Sequence, residues 1–141
     1  MDSHLRTVAE IEYAADEGGD FWQTPEETAR RGRGDCEDMA LYLHYLLRGD
    51  GIESTVVFGV RDARRDRTGH AWVECEMYGQ RYVLDPTCRR MAARKLLPPA
   101  LYYPVIEQPV LAEKLREYLN RTGDRGVNVI FEAPPESPQA P

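Results

Sequence analysis

The most constraining feature of this sequence is one amphipathic helix followed directly by strand-like segments. From Asp35 onward, apolar residues recur at helical spacing and form one stripe: Met39, Ala40, Leu43, Leu46 and Leu47. A helix period of 3.6 residues places these side chains on one face, which must be buried against another element. Gly49 and Gly51 follow the stripe and predict the end of the helix.

Three strand-like segments follow this helix in close succession. They are rich in β-branched and aromatic residues and span residues 54–60, 70–77 and 81–84. Gly79-Gln80 is a predicted turn between the last two, so the segments indicate an antiparallel meander. In the third strand, Val83 and Leu84 are expected to face opposite sides of the sheet.

The flanking regions predict further helices and one more strand. Residues 3–15 have helical spacing with Ser3 as a candidate N-cap, and Thr24-Pro25 has the chemistry of a second helix start. Residues 111–119 predict a late amphipathic helix. Residues 127–131 read as a final strand, and residues 61–68 as a charged loop.

The length of 141 residues fits one domain, and 42% hydrophobic with 30% charged residues is the balance of a globular protein. We therefore predict a single domain over residues 1–132. Residues 133–141 are rich in proline and predict a disordered tail.

Charge and hydropathy exclude several classes of function. The formal net charge of -6 argues against a nucleic-acid partner, because phosphate binding requires clustered basic residues. No segment approaches the roughly 18 apolar residues of a membrane span, and the N-terminus lacks the apolar core of a signal peptide. We therefore expect a cytoplasmic protein without a membrane partner.

The three cysteines have different surroundings. Their odd number, in a chain expected to be cytoplasmic, argues against a disulfide scaffold. Cys36 follows a glycine-rich segment and opens the amphipathic helix, where unsatisfied backbone N–H groups are expected to lower a thiol pKa. Seen alone, Cys36 could equally be a buried small residue. Cys75 reads as a core residue of a strand, and no base lies near Cys88 in sequence.

A base and its orienting group are expected at one end of the predicted sheet. His70 begins one strand and Asp85 ends the next, so a hairpin would bring them together. A neutral histidine can accept a thiol proton, while a carboxylate on its other nitrogen fixes the tautomer and stabilises the imidazolium. Taken singly, His70 could be a surface histidine and Asp85 a turn residue before Pro86. His4 and His44 have no such context.

Three motifs together carry a family resemblance. Gly-Asp-Cys-Glu-Asp-Met-Ala, Gly-His-Ala-Trp-Val-Glu and Val-Leu-Asp-Pro-Thr occupy residues 34–40, 69–74 and 83–87. They resemble, in order, the core motifs of transglutaminase-like cysteine enzymes. With Phe-Trp-Gln-Thr-Pro-Glu-Glu at residues 21–27, the chain resembles more narrowly the bacterial transglutaminase-like cysteine proteinases, which cleave exposed linkers in other proteins.

This resemblance implies an α+β fold with a papain-like core, in which a cysteine-bearing helix packs on an antiparallel sheet carrying His and Asp. It implies that Cys36 is the nucleophile, His70 the general base and then acid, and Asp85 the orienting residue. We expect Trp72 to pack against the imidazole and shield it from water.

An acyl-enzyme pathway needs hydrogen-bond donors for an oxyanion. The backbone N–H of Cys36 is the first candidate. For the second, the resemblance favours the indole N–H of Trp22, whereas Gln23 is the analogue by amide chemistry in papain-like sites. Trp22 could instead be a core aromatic residue.

Three carboxylates surround the thiol in sequence: Asp35, Glu37 and Asp38. Negative charges near the thiol oppose its ionisation, and a calcium ion bound by Asp35 and Glu37 would offset them. The resemblance implies such a site, because the related proteinases bind calcium with the acids that flank their cysteine. Alternatively, these acids cap the helix and pair with Arg31 or Arg33, and no cofactor is required.

Three functions fit these residues. The first is a thiol peptidase or amidase that acts on a protein or peptide through a thioester on Cys36. The second is a transglutaminase or other amine acyltransferase, which shares the triad. The third is a catalytically inactive protein-binding module, which an intact Cys-His-Asp set disfavours.

Overall fold

The computed structural model of the chain describes residues 2–14, 22–61, 69–98, 100–104, 109–124 and 126–130. The described helices are α1 (Asp2–Ala9), α2 (Pro25–Arg31), α3 (Cys36–Gly49) and α4 (Pro109–Thr122). The described strands are β1 (Glu12–Tyr13), β2 (Arg33–Gly34), β3 (Ser54–Arg61), β4 (Gly69–Met77), β5 (Gln80–Asp85), β6 (Arg90–Ala93), β7 (Tyr102–Pro104) and β8 (Val129–Ile130). Arg61, predicted to begin the charged loop, is instead the last residue of β3, because it pairs with Tyr102 of β7. The rest of that loop, residues 62–68, and the predicted tail at 133–141 lie outside these ranges.

A mainly antiparallel sheet forms the centre of the molecule. Its strand order is β6-β5-β4-β3-β7, and β8 pairs in parallel with β3. The predicted meander is confirmed as β3-β4-β5, with Val57 opposite Trp72 in the first pair. The sequence did not predict β6 and β7, which extend the meander and cover part of the outer edge of β3.

The two faces of the sheet bury different amounts of apolar surface. The larger core joins α1 and α3 to one face, through residues that include Leu5, Val8, Leu43, Leu47, Val56, Val73 and Leu84. Each fully buried Leu or Val side chain contributes roughly 1.5–3 kcal/mol by leaving water. The opposite face carries a smaller cluster of Val57, Trp72, Val83 and Tyr102. Val83 and Leu84 therefore face opposite sides, as predicted.

The predicted start of α2 is confirmed. The hydroxyl of Thr24 accepts the backbone N–H of Glu27, and the Glu27 carboxylate accepts the N–H of Thr24. Pro25 occupies the first turn, where a missing N–H costs nothing. Gly32 then ends the helix with φ of 68°, a left-handed conformation that glycine adopts without strain.

The predicted helix over residues 3–15 is wrong in its extent. Helix α1 begins at Asp2, so Ser3 is not its N-cap, and it ends at Ala9. Glu12–Tyr13 instead pairs in parallel with Arg33–Gly34. Tertiary pairing overrides helical spacing here, because the N–H of Glu12 donates to the carbonyl of Gly32 and the N–H of Ala14 to that of Gly34.

Helix α4 agrees with the predicted late helix and is followed by Gly123 with φ of 68°. None of the helices in the described ranges is both long and apolar enough to cross a membrane.

Candidate active site

The central hairpin brings His70 and Asp85 together. His70 is the second residue of β4 and Asp85 the last of β5, and antiparallel pairing places both at one end of the sheet. His70 Nε2 lies 2.8 Å from Asp85 Oδ2, with the side chains 9% and 0% exposed. The predicted pairing of these two residues is therefore observed.

The hydrogen bonds around Asp85 determine which nitrogen of His70 is basic. Burial raises the pKa of Asp85, but hydrogen bonds from His70, Thr87 and Tyr102, with the charge of His70, bring it well below its usual range. An ionised carboxylate only accepts hydrogen bonds, so His70 Nε2 carries the proton. The neutral ring then holds its lone pair on Nδ1, and that nitrogen can accept a proton from a nucleophile.

Asp85 is held by more donors than the motif suggested. Its Oδ1 accepts the backbone N–H of Thr87 at 3.1 Å and the Thr87 hydroxyl at 2.7 Å. Its Oδ2 accepts Tyr102 Oη at 2.7 Å and Arg61 Nη1 at 3.2 Å, besides His70. Thr87 lies within the motif at residues 83–87, which was a signal that it contacts Asp85. Sequence analysis missed Arg61 and Tyr102, which no motif marks.

Trp72 packs beside the imidazole as predicted. The two ring centroids are 6.2 Å apart and the planes 23° from parallel. Trp72 is fully buried, and its indole N–H donates to Glu74 Oε2 at 2.8 Å. The buried Glu74 carboxylate also accepts Arg81 Nε at 2.6 Å, so the polar atom of Trp72 is bonded to one member of an ion pair. This contact fixes the plane of the tryptophan against which His70 lies.

Cys36 is the first residue of α3 and is partly buried. The backbone N–H of Ala71, the residue after His70, is placed to hydrogen-bond its sulfur. Cys36 therefore lies at the same end of the sheet as the His70–Asp85 pair. The helix start, the histidine strand and the aspartate strand converge on one region.

The expected lowering of the thiol pKa is wrong. Burial, with smaller contributions from the charges of Asp35, Glu37 and Asp85, raises the pKa of Cys36 to about 12, against the lowering effect of the Ala71 N–H. Loss of hydration and nearby negative charge outweigh the favourable helix start. The free thiol is consequently protonated at neutral pH and requires a base in order to react.

Two of the acids around Cys36 cap the helix, as one alternative predicted for the set. Asp35 Oδ1 accepts the N–H of Asp38 at 3.0 Å, and Asp38 Oδ2 accepts the N–H of Asp35 at 3.1 Å. Burial and the charges of Asp38 and Glu37 raise the pKa of Asp35 to about 7, against an opposing backbone hydrogen bond. Glu37 lies 3.7 Å from Lys114 of α4, a partner that the sequence did not predict.

The two oxyanion-donor candidates have different surroundings. Trp22 is fully buried and stacks on Phe58 at 5.4 Å, so it is a core aromatic residue. Its indole N–H nevertheless has no hydrogen-bond partner among the described residues. The side-chain amide of Gln23 donates to Asp38 Oδ2 at 2.8 Å and to the Arg33 carbonyl at 3.3 Å. Both amide hydrogens of Gln23 are thus engaged, while the indole hydrogen of Trp22 is buried without a partner in the described structure.

The described residues contain no group of three or more His, Cys, Asp and Glu side chains arranged to hold a metal ion. Asp35 and Glu37 supply carboxylate oxygens, the ligand type that calcium prefers, although one Asp35 oxygen already caps α3. Calcium usually takes about six to eight oxygen ligands. These two residues fit calcium chemically but would complete only part of its coordination.

The fold and the converging side chains define an α+β papain-like core with a thiol, an imidazole and a carboxylate at one end of its sheet. Residues 3–86 match the family model of the transglutaminase-like superfamily. The chain belongs to this superfamily. None of the curated protein sequences matches the chain.

Solved structures share this fold at low sequence identity. Legionella pneumophila LapG is 16% identical with a TM-score of 0.67, over 85% of this chain and 74% of LapG. Calcium-bound LapG from the same organism is 14% identical with a TM-score of 0.63, over 83% and 77% of the two chains. A candidate cysteine protease from Cytophaga hutchinsonii is 21% identical with a TM-score of 0.53, over 64% of this chain and 33% of that one.

Proposed function

We propose that the protein is a thiol peptidase or amidase in which Cys36, His70 and Asp85 act together. The observation that carries the proposal is the 2.8 Å contact between His70 Nε2 and Asp85 Oδ2, beside the helix that begins at Cys36. This contact leaves Nδ1 of His70 as the basic nitrogen, and the protonated thiol of Cys36 needs a base. Membership of the transglutaminase-like superfamily supports the same assignment.

The proposed reaction has two stages. His70 Nδ1 takes the proton of Cys36 as the sulfur attacks the substrate carbonyl, and that proton passes to the leaving amine when the C–N bond breaks. Water then attacks the thioester, gives a proton to His70, and releases the acid as the sulfur is reprotonated. The Cys36 backbone N–H and the Trp22 indole N–H are the proposed oxyanion donors.

The proposed substrate is a protein or peptide. The fold shared with a candidate cysteine protease favours hydrolysis, whereas an amine in place of water would make the same site a transglutaminase. Product analysis separates the two. Mass spectrometry of peptides incubated with dansylcadaverine would detect amine incorporation, and cleavage without incorporation is the expected result.

Two sets of variants test the nucleophile. We expect Cys36→Ala to abolish cleavage of a mixed peptide library, read by mass spectrometry, because its thiol forms the acyl-enzyme. The matched controls Cys75→Ala and Cys88→Ala should retain cleavage, since Cys75 is buried in the core and Cys88 is exposed after β5. Cleavage by Cys36→Ala at the rate of the unmodified protein would contradict the proposal.

We propose in addition that calcium binds at Asp35 and Glu37. Burial, together with the charges of Asp38 and Glu37, raises the pKa of Asp35, and a divalent cation would offset the negative charge beside the thiol. EGTA is expected to lower both turnover and the melting temperature of purified protein, and calcium to restore them. Unchanged turnover and melting, with no heat of calcium binding in calorimetry, would leave these acids as helix caps alone.

A further inference from the structure

The carboxylate of Asp85 is anchored by a residue outside the region that matches the family model. Tyr102 begins β7, beyond residues 3–86, and its hydroxyl lies 2.7 Å from Asp85 Oδ2. Both side chains are fully buried. Buried hydrogen bonds to an ionised group are short and strong, so this contact strongly restrains the carboxylate.

The direction of this hydrogen bond is determined by a second residue. Arg90 Nη1 lies 3.2 Å from the oxygen of Tyr102, and a guanidinium can only donate. The phenol oxygen therefore accepts from Arg90, and its single proton is left for Asp85. Cys88 Sγ lies 3.7 Å from the same oxygen, where its S–H can serve as a further donor.

The fold also fixes the tyrosine ring and backbone. The ring meets Trp72 edge-on at a centroid distance of 5.1 Å, and Arg94 donates to the Tyr102 carbonyl. Strand β7 pairs with β3 so that Tyr102 lies opposite Arg61, the other donor from a distant segment to Asp85 Oδ2. Tyr102 therefore approaches the carboxylate from a rigid position.

We propose that Tyr102 is a positioning residue that keeps Asp85 Oδ2 directed at His70 Nε2. The proposal rests on the function proposed above. The carboxylate of an aspartate rotates easily about its last side-chain torsion. Such a rotation would release the imidazole from the orientation that the proposed proton transfer requires. The working site then extends into β7, beyond the three recognised motifs.

The test uses iodoacetamide, a small probe that needs no knowledge of the substrate. The sulfur of Cys36 displaces iodide while its proton passes to His70, and peptide mass spectrometry separates this product from those of Cys75 and Cys88. We expect Tyr102→Phe to slow alkylation of Cys36 about tenfold, the effect of one hydrogen bond to a charged group. The inflection of the pH–rate profile is expected to move as well, which a purely structural contact would not cause.

Tyr103→Phe is the matched control, because Tyr103 is the next residue of β7 and packs on Val60 and Ala100. It should alkylate at the rate of the unmodified protein. Arg90→Leu keeps the phenol but removes the donor that orients it, and we expect about threefold slower alkylation. Arg90 is partly exposed, so Arg90→Leu is expected to fold and can decide the test if Tyr102→Phe does not fold.

His70→Gln separates the two proposals. If it leaves alkylation of Cys36 unchanged, the proposed function fails. If it slows alkylation while folded Tyr102→Phe keeps the rate and pH profile of the unmodified protein, only the positioning role is overturned. If Tyr102→Phe does not fold, an unchanged rate of Cys36 alkylation in Arg90→Leu overturns the positioning role of Tyr102.

Discussion

Two histidines of this protein are held in contrasting surroundings. His70, at the end of β4, bonds through Nε2 to the carboxylate of Asp85. His44, in the middle of α3, is 1% exposed and bonds only to neutral groups in the described structure. Its Nδ1 lies 2.6 Å from the hydroxyl of Ser54, and its Nε2 accepts the backbone N–H of Asn128 at 3.0 Å.

The charge of the partner explains why only one of them suits proton transfer. Burial lowers the pKa of His44 to about 4, with a further contribution from Arg48, while Asp124 and a backbone hydrogen bond at Gly126 oppose it. His44 is therefore neutral near pH 7, and both of its nitrogens are occupied. A carboxylate such as Asp85 instead stabilises the imidazolium and leaves Nδ1 available. His44 joins α3 to the segment before β8, whereas His70 can exchange a proton.

The largest expected effect is loss of catalysis in His70→Gln. Removing a general base costs on the order of a thousandfold in kcat. The free energy of unfolding should change by less than about 1 kcal/mol, because Asp85 keeps its other donors. His44→Gln is the matched control and should keep its kcat within about twofold. Equal losses of kcat in both variants would remove the distinction between the two sites.

Asp85→Asn should reduce kcat by about a hundredfold and also destabilise the fold. The amide cannot stabilise the imidazolium, and its NH2 group must face donors that the carboxylate accepts on both oxygens. One buried donor left without a partner costs roughly 1–3 kcal/mol. Urea unfolding and peptide cleavage measure the two effects. A variant with full stability and lost activity would show that the surrounding donors rearrange.

His44→Gln should cost roughly 1–3 kcal/mol at pH 7 in urea unfolding, because Ser54 and Asn128 lose a buried partner. This loss of stability comes from packing and hydrogen bonding inside the core, and catalysis is not involved. Unchanged unfolding at pH 7 would show that the tie between α3 and the β8 segment contributes no net stability.

The smallest effect is a difference in the pH dependence of stability. His44 has a folded pKa of about 4, below its ordinary value of 6.5, so the unfolded chain binds a proton more readily between these values. The contribution of neutral His44 to the free energy of unfolding is complete above pH 6.5 and declines as the pH falls towards 4. The advantage of the unmodified protein over His44→Gln should shrink across this window.

The pH dependence of stability that Asp35 contributes has the opposite sign to that of His44. The unmodified protein must therefore be compared with His44→Gln to isolate the contribution of His44. The folded pKa of Asp35, about 7, lies above its ordinary value of 3.8, so its protonation favours the folded state at low pH and is lost as the pH rises through 7. Unfolding measured in EGTA at several pH values, for both proteins, cancels this shared contribution. A constant difference from pH 7 to pH 4 would contradict the neutral state of His44.

The sequence by itself determined the elements that depend on local signals. Helical spacing predicted α3, and Thr24 with Pro25 predicted the start of α2. Segments rich in β-branched and aromatic residues, with a turn at Gly79-Gln80, predicted the meander, and alternation within the third strand placed Val83 and Leu84 on opposite faces. His70 at the start of one strand and Asp85 at the end of the next predicted that the two meet, because a short hairpin allows few other arrangements. It also placed Cys36 at a helix start.

Only the tertiary structure decided what surrounds these residues. Tyr102 and Arg61 reach Asp85 from segments distant in sequence, and Lys114 reaches Glu37 from α4. The raised pKa of Cys36 likewise depends on burial and on the charge of Asp85, which packing brings near the sulfur. Hydrogen bonds and desolvation depend on distances between side chains, and a chain sets those distances only when distant segments pack together. Local patterns determine elements, while packing determines the chemistry between them.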